Sequence, residues 1–115
     1  MSRQLEDLRA FGCDIDGTME RMGDDEEFYM ECIQDIIADP YFDSLGTALK
    51  AGDVKLAFDA AHTLKGVFAN VGLTPLFEQT VRIVEPLRKG QRDGLDAEFD
   101  KLMQLKARLE EIVSH

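Results

Sequence analysis

The stretch from Asp53 to Gly72, DVKLAFDAAHTLKGVFANVG, restricts what this chain can fold into more than any other. At about 100° per residue, Val54, Leu56, Ala57, Ala60, Ala61, Leu64, Val67, Phe68 and Val71 fall in one apolar arc. Lys55, Asp59, His62, Thr63, Lys65 and Asn70 share the other, so the spacing predicts one amphipathic helix with His62 directed away from the core. Gly66 follows one turn later on the polar side, where glycine costs about 1 kcal/mol relative to alanine. Helix stability does not select it. A glycine admits close approach, either of another helix or of a molecule arriving from outside, and its place opposite the apolar arc favours the second. Ala69, a further turn on, is also small. Phe58, one turn before His62, lies at the edge of the same face, where its ring either meets a partner or folds over the helix edge onto the core. Taken alone, Lys65 reads as an ordinary solvated lysine, and a single histidine on a polar helix face reads most often as a surface residue.

The rest of the chain is also patterned as helix. Leu5 and Leu8 recur at helical spacing on a short charged segment, expected to be peripheral, and Ile15, Met19 and Met22 suggest a further turn or two ending at Gly23. Asp24 followed by Glu27 predicts an N-cap with a capping-box partner. Phe28, Cys32, Ile33, Ile36 and Ile37 then mark a helix that Asp39-Pro40 breaks or kinks, with Pro40 able to open the next segment, where Phe42, Leu45, Ala48 and Leu49 continue to a stop at Gly52. Asp53 caps the histidine helix. After Gly72, Thr74-Pro75 predicts an N-cap with proline at the first helical position. Leu76, Phe77, Thr80, Val81, Val84 and Leu87 are the expected core face of that helix, and Pro86 is expected to kink or loosen it before Lys89-Gly90. Leu95, Phe99, Leu102, Met103, Leu109, Ile112 and Val113 stripe the last helix, and the terminal His115 is expected to be disordered.

No strand-like alternation, internal repeat or low-complexity tract interrupts this pattern. The reading is all-α, an up-and-down four-helix bundle formed by 24–51 with its kink, 54–71, 75–89 and 95–113, with short N-terminal helical segments covering one end. With 115 residues and 44% hydrophobic content, the chain is long enough for one domain spanning 1–115, its bundle core at about 24–113 and residues 1–23 peripheral. A formal net charge of -10 disfavours nucleic acid and anionic membrane as partners. Cys13 and Cys32 form no CxxC pair and, without a secretory signal, read as reduced thiols of a cytoplasmic protein. No apolar run approaches the roughly 20 residues that cross a bilayer, and Met1 leads to the expectation of a complete product.

The run Ala61-His62-Thr63-Leu64-Lys65-Gly66, with Val71-Gly72-Leu73 after it, resembles the signature of the histidine-containing phosphotransfer (HPt) domain of two-component phosphorelays. The resemblance implies that His62 accepts a phosphoryl group from the aspartyl phosphate of a receiver domain, holds it as phosphohistidine and passes it to another receiver aspartate. It implies that Lys65 sets a positive charge beside the phosphoryl oxygens, and that Phe58, Asp59, Gly66, Ala69 and Arg88 border the surface on which the partner docks. The implied partners are response-regulator receiver domains and a hybrid sensor histidine kinase, met by a monomer. No cofactor is expected on this chain, and Mg²⁺ is expected in the receiver. Two positions depart from the family pattern: Val84 falls where a polar glutamine or glutamate is common, with Glu85 next to it, and Ala69 stands where glycine is frequent.

Other chemistries lack their residues. There is no GxxxxGK[ST] loop, so the chain is read as a phosphocarrier without ATP-dependent kinase activity. His62 has no second histidine or cysteine at ligand spacing on its face, and neither a serine nucleophile nor a carboxylate pair finds an orienting partner. The competing function is a bundle of the same type that binds a receiver or another regulator without transferring phosphate.

Overall fold

Residues 2–114 are described by a computed structural model, and His115, expected above to be disordered, lies outside them. Among the described residues the regular structure is entirely helical: α1 (Arg3–Phe11), α2 (Ile15–Arg21), α3 (Glu26–Ile37), α4 (Tyr41–Ala51), α5 (Val54–Asn70), α6 (Thr74–Arg88) and α7 (Leu95–Val113). α5 packs chiefly between α4 and α6, and α6 packs on α7, which also touches α1, α3 and α4. None of these helices is long and apolar enough to cross a membrane.

Short polar residues start several of the helices. The Asp53 carboxylate accepts from the Leu56 N–H at 3.1 Å and opens α5. Before α3 the cap is Asp25, accepting from Phe28 N at 3.0 Å, rather than the expected Asp24, which takes a positive φ of 58° just after Gly23. α3 and α4 are separate helices. Asp39 accepts from Tyr41 N at 2.8 Å, and Pro40 occupies the N-cap position of α4. α6 begins at Thr74, one residue earlier than expected, with Leu73 as its cap, and runs through Pro86. That proline sits in the last turn, where the helix closes with an i→i−3 bond from Lys89 N to the Pro86 carbonyl, so no later turn remains to be displaced.

Packing joins these pieces through one continuous buried cluster. The Phe42 and Phe68 rings meet at 5.9 Å between α4 and α5, with Lys106 of α7 standing 5.1 Å over Phe42. Gly46 in α4 is buried under the Phe99 ring, which would stand only 2.9 Å from an added Cβ. Gln79, a buried polar residue, donates to the Glu98 carbonyl at 2.8 Å and ties α6 to α7. Ile83 is fully buried beside it, whereas Phe77 and Val81 are only half-buried, so the core face of α6 is rotated from the expected stripe.

The N-terminal segment is not peripheral. Leu5, Leu8 and Ile15 are buried in the common core, and Gln4 donates to the Val113 carbonyl at 3.0 Å. Its other anchor is the turn between α5 and α6. Asp14 N donates to the Gly72 carbonyl at 2.9 Å, and the buried Tyr29 hydroxyl donates to the Val71 carbonyl at 2.8 Å. Gly72 has φ 68°, and a Cβ there would collide with Thr18 Oγ1 and the Asp14 carbonyl. Cys13 is buried at the same junction, and burial pushes its thiol up to about 12, away from nucleophilic use near neutrality.

Gly72→Ala is therefore expected to cost about 1–3 kcal/mol, combining left-handed strain with displacement of the N-terminal helices. A thermal or urea melt checks this, and a loss below about 0.5 kcal/mol contradicts the proposed role of the turn.

Candidate functional site

The middle of α5 is buried on one side only. Ala57, Ala60, Ala61, Leu64 and Phe68 are buried, while Asp59, His62, Thr63, Gly66, Ala69 and Asn70 are exposed. His62 thus stands at the middle of the 17-residue helix, its imidazole in solvent. Among the described residues no group hydrogen-bonds that imidazole. Its ring neighbour is Phe58, one turn earlier, with centroids 5.6 Å apart and planes at 55°. Leu56 departs from the expected arc: it is 58% exposed, and Val54 and Val67 are half-buried, because the buried sector of α5 is narrower than the apolar spacing suggests.

Around the histidine the predicted residues gather unevenly. Lys65, one turn on, is half-buried. Gly66 is open, and an added Cβ there would meet nothing within 4 Å, so no contact within the chain requires glycine. Asp59 is exposed, and its backbone carbonyl accepts from the Thr63 hydroxyl at 2.9 Å. Phe58 is half-buried against the core cluster and also faces outward. Arg88 of α6 places its guanidinium 5.2 Å over the Phe58 ring and holds Glu85 through a 3.6 Å ion pair. That layer of His62, Phe58, Arg88 and Glu85 is not visible as a motif in the sequence. Spacing gives Phe58 and His62 one face, but bringing Arg88 over the ring depends on how α6 crosses α5.

Val84 is fully buried and offers no donor or acceptor to the site. Glu85 is turned toward Arg88 rather than toward His62. Ala69, exposed two turns beyond His62, leaves that end of the stripe low. No set of three His, Cys, Asp or Glu side chains is placed to hold a metal among the described residues.

The middle helix of this all-helical domain thus carries an accessible histidine, a lysine one turn on and an open glycine beside it. The family model described as "Hpt domain" matches residues 31–115, and the chain belongs to that family, whose members serve histidine phosphotransfer in phosphorelays. The match begins within α3, leaving α1 and α2 outside it. Neither the curated proteins nor the solved structures compared with the chain gave a match.

Because His62 is exposed and without hydrogen bonds, His62→Gln should change stability by no more than about 0.5 kcal/mol. Gly66→Ala should raise it, by up to about 1 kcal/mol, since the new methyl meets open space in mid-helix. Thermal melts of both variants read these effects directly.

Proposed function

We propose that His62 is the phosphoryl acceptor of this Hpt domain, taking phosphate from a receiver-domain aspartate and passing it to a second receiver. The observation that carries this reading is an imidazole free in solvent at mid-helix, within the segment matched by the family. A lone pair of the neutral ring attacks phosphorus, the bond from phosphorus to the aspartate oxygen breaks, and the carboxylate leaves with that electron pair. The second ring nitrogen keeps its proton. The same path run backwards delivers the group to the next aspartate, so the chain acts as a carrier rather than a catalyst that consumes ATP.

Lys65 is the cation assigned to the phosphoryl oxygens, since one helical turn brings its ammonium to the same face as the imidazole. Gly66 and Ala69 keep the approach low, and Phe58, Asp59 and Arg88 border it. The Mg²⁺ that neutralises the transferring group belongs to the receiver. The scaffold is read as an up-and-down four-helix bundle with α4, α5, α6 and α7 as its main members. We place the working form as a cytoplasmic monomer loaded through a hybrid sensor kinase.

The test is a transfer time course from an acetyl-phosphate-charged receiver domain. Wild type should gain acid-labile, alkali-stable label, and His62→Gln should gain none at unchanged melting temperature. Lys65→Ala should slow transfer by about 1–2 kcal/mol in the barrier, an effect that added salt reduces. Gly66→Gln should improve helix propensity while obstructing the receiver, so that stability and transfer move in opposite directions. Label retained in His62→Gln overturns the assignment, and binding of receivers without any label would make the chain a non-transferring module.

A further inference from the structure

Arg88 and Glu85 of α6 reach the neighbourhood of the imidazole without being fixed there. The Arg88 guanidinium lies 5.2 Å from the Phe58 centroid, and that ring lies 5.6 Å from the His62 ring, so guanidinium and imidazole are no further apart than the two distances together. Glu85 holds the guanidinium loosely. Its carboxylate oxygen is 3.6 Å from Arg88 Nε, beyond hydrogen-bond range, and both side chains are about half exposed, where an ion pair is weak. The arginine side chains that donate hydrogen bonds among the described residues are those of Arg9, Arg21 and Arg92, not that of Arg88. Val84, one residue before Glu85, is buried and apolar. Lys65 and Lys89 enter no ion pair among the described residues, so of these cations Arg88 alone has an anion to exchange.

We propose that Glu85 competes with a phosphoryl group on His62 for Arg88, and that this competition sets how readily the group is passed on. The inference rests on the relay reading of His62 and adds Glu85 to that site as a positioning residue acting through Arg88. A phosphoryl group brings roughly two negative charges and three acceptor oxygens, against the single charge of the carboxylate. A guanidinium binds such oxygens through parallel N–H bonds, which its contact with Glu85 does not supply. In the charged state Arg88 therefore turns from Phe58 toward the imidazole, and Glu85 is left to solvent. On transfer the receiver's aspartate oxygen bonds to phosphorus, the P–N bond breaks with its electron pair returning to the ring nitrogen, and the guanidinium goes back to Glu85. A contact made only in the charged state favours that state, and a carboxylate that reclaims the cation offsets part of the gain. Glu85 thus tilts the chain toward giving the group away.

The readout is the plateau division of label between the chain and a receiver domain charged with acetyl phosphate, the small donor having been removed and both proteins kept dilute. At plateau that division depends on the charged and uncharged states of each free protein and not on how the two dock, which separates it from any contact Arg88 makes with a partner. Arg88→Met should move it about fivefold toward the receiver, with Arg88→Lys in between, and Glu85→Gln about threefold toward His62. In an Arg88→Met background, Glu85→Gln should lose most of its effect. Lys89→Met removes a charge next door and should shift the division by less than half as much as Arg88→Met. Charging the chain with phosphoramidate, which needs no receiver, should also displace the Arg88 Nε–H resonance in a proton–nitrogen correlation spectrum. A full Glu85→Gln effect in the Arg88→Met background overturns the competition and leaves the relay standing. So does a division unmoved by Arg88→Met and Arg88→Lys while His62 takes label. Label that survives His62→Gln overturns the relay reading and this proposal with it.

Discussion

One-sided burial of α5 is the constraint on which the remainder of the molecule depends. Ala57, Ala60 and Ala61 carry nothing beyond Cβ, so α4 and α6 can close on that helix, and Leu64 and Phe68 fill the space below. The distance between packed helices is set by the side chains at their contact, and small residues on the buried side bring the neighbours in. The opposite side then has no helix to cover it. Each exposed residue on that side, His62 among them, is accessible because the core has been completed without it.

The turn after α5 carries a second demand. Its carbonyls at Val71 and Gly72 serve as acceptors for Tyr29 and for the backbone of Asp14, so α3 and the N-terminal helices are held at the same end of α5. The N-terminal pair lies outside the matched family span yet contributes Leu5, Leu8 and Ile15 to the common core. Removing it would uncover apolar surface as well as an N–H to carbonyl bond, so those residues act as part of the core.

Much of the helical pattern was legible because it depends on local chemistry. Asp53 as a cap, Gly52 as a left-handed stop and the limits of α7 follow from neighbours in sequence. Exposure of His62 was legible for the same reason, since the apolar and polar arcs of α5 are well separated. What failed depended on tertiary contact. Leu56 belongs to the apolar arc by spacing, but no neighbouring helix reaches far enough around to cover it. Gln79 and Ile83 are inside because α6 is rotated toward α7, where the Glu98 carbonyl waits. Gly46 carries no local signal in the sequence, and only the position of Phe99 explains it. Leu5 and Leu8 seemed too few to make more than a peripheral helix, because the α7 and turn contacts that bury them are distant in sequence. The Arg88 and Phe58 contact likewise depends on the crossing of two helices.

The burial of Val84 has a consequence for the state of the imidazole itself. A neutral histidine has two tautomers, and a neighbour that donates to or accepts from one ring nitrogen ordinarily chooses between them and fixes the ring about its torsions. Here the nearest ring is that of Phe58, which constrains by contact and lends no directional bond, while Val84 is apolar and Glu85 is engaged with Arg88. Among the described residues no hydrogen-bonding neighbour therefore chooses between the tautomers of the resting imidazole. In the relay proposed for His62, selection of the nitrogen that bears the lone pair would fall to the docked partner, and the entropy of ordering the ring would be spent in the encounter rather than during folding.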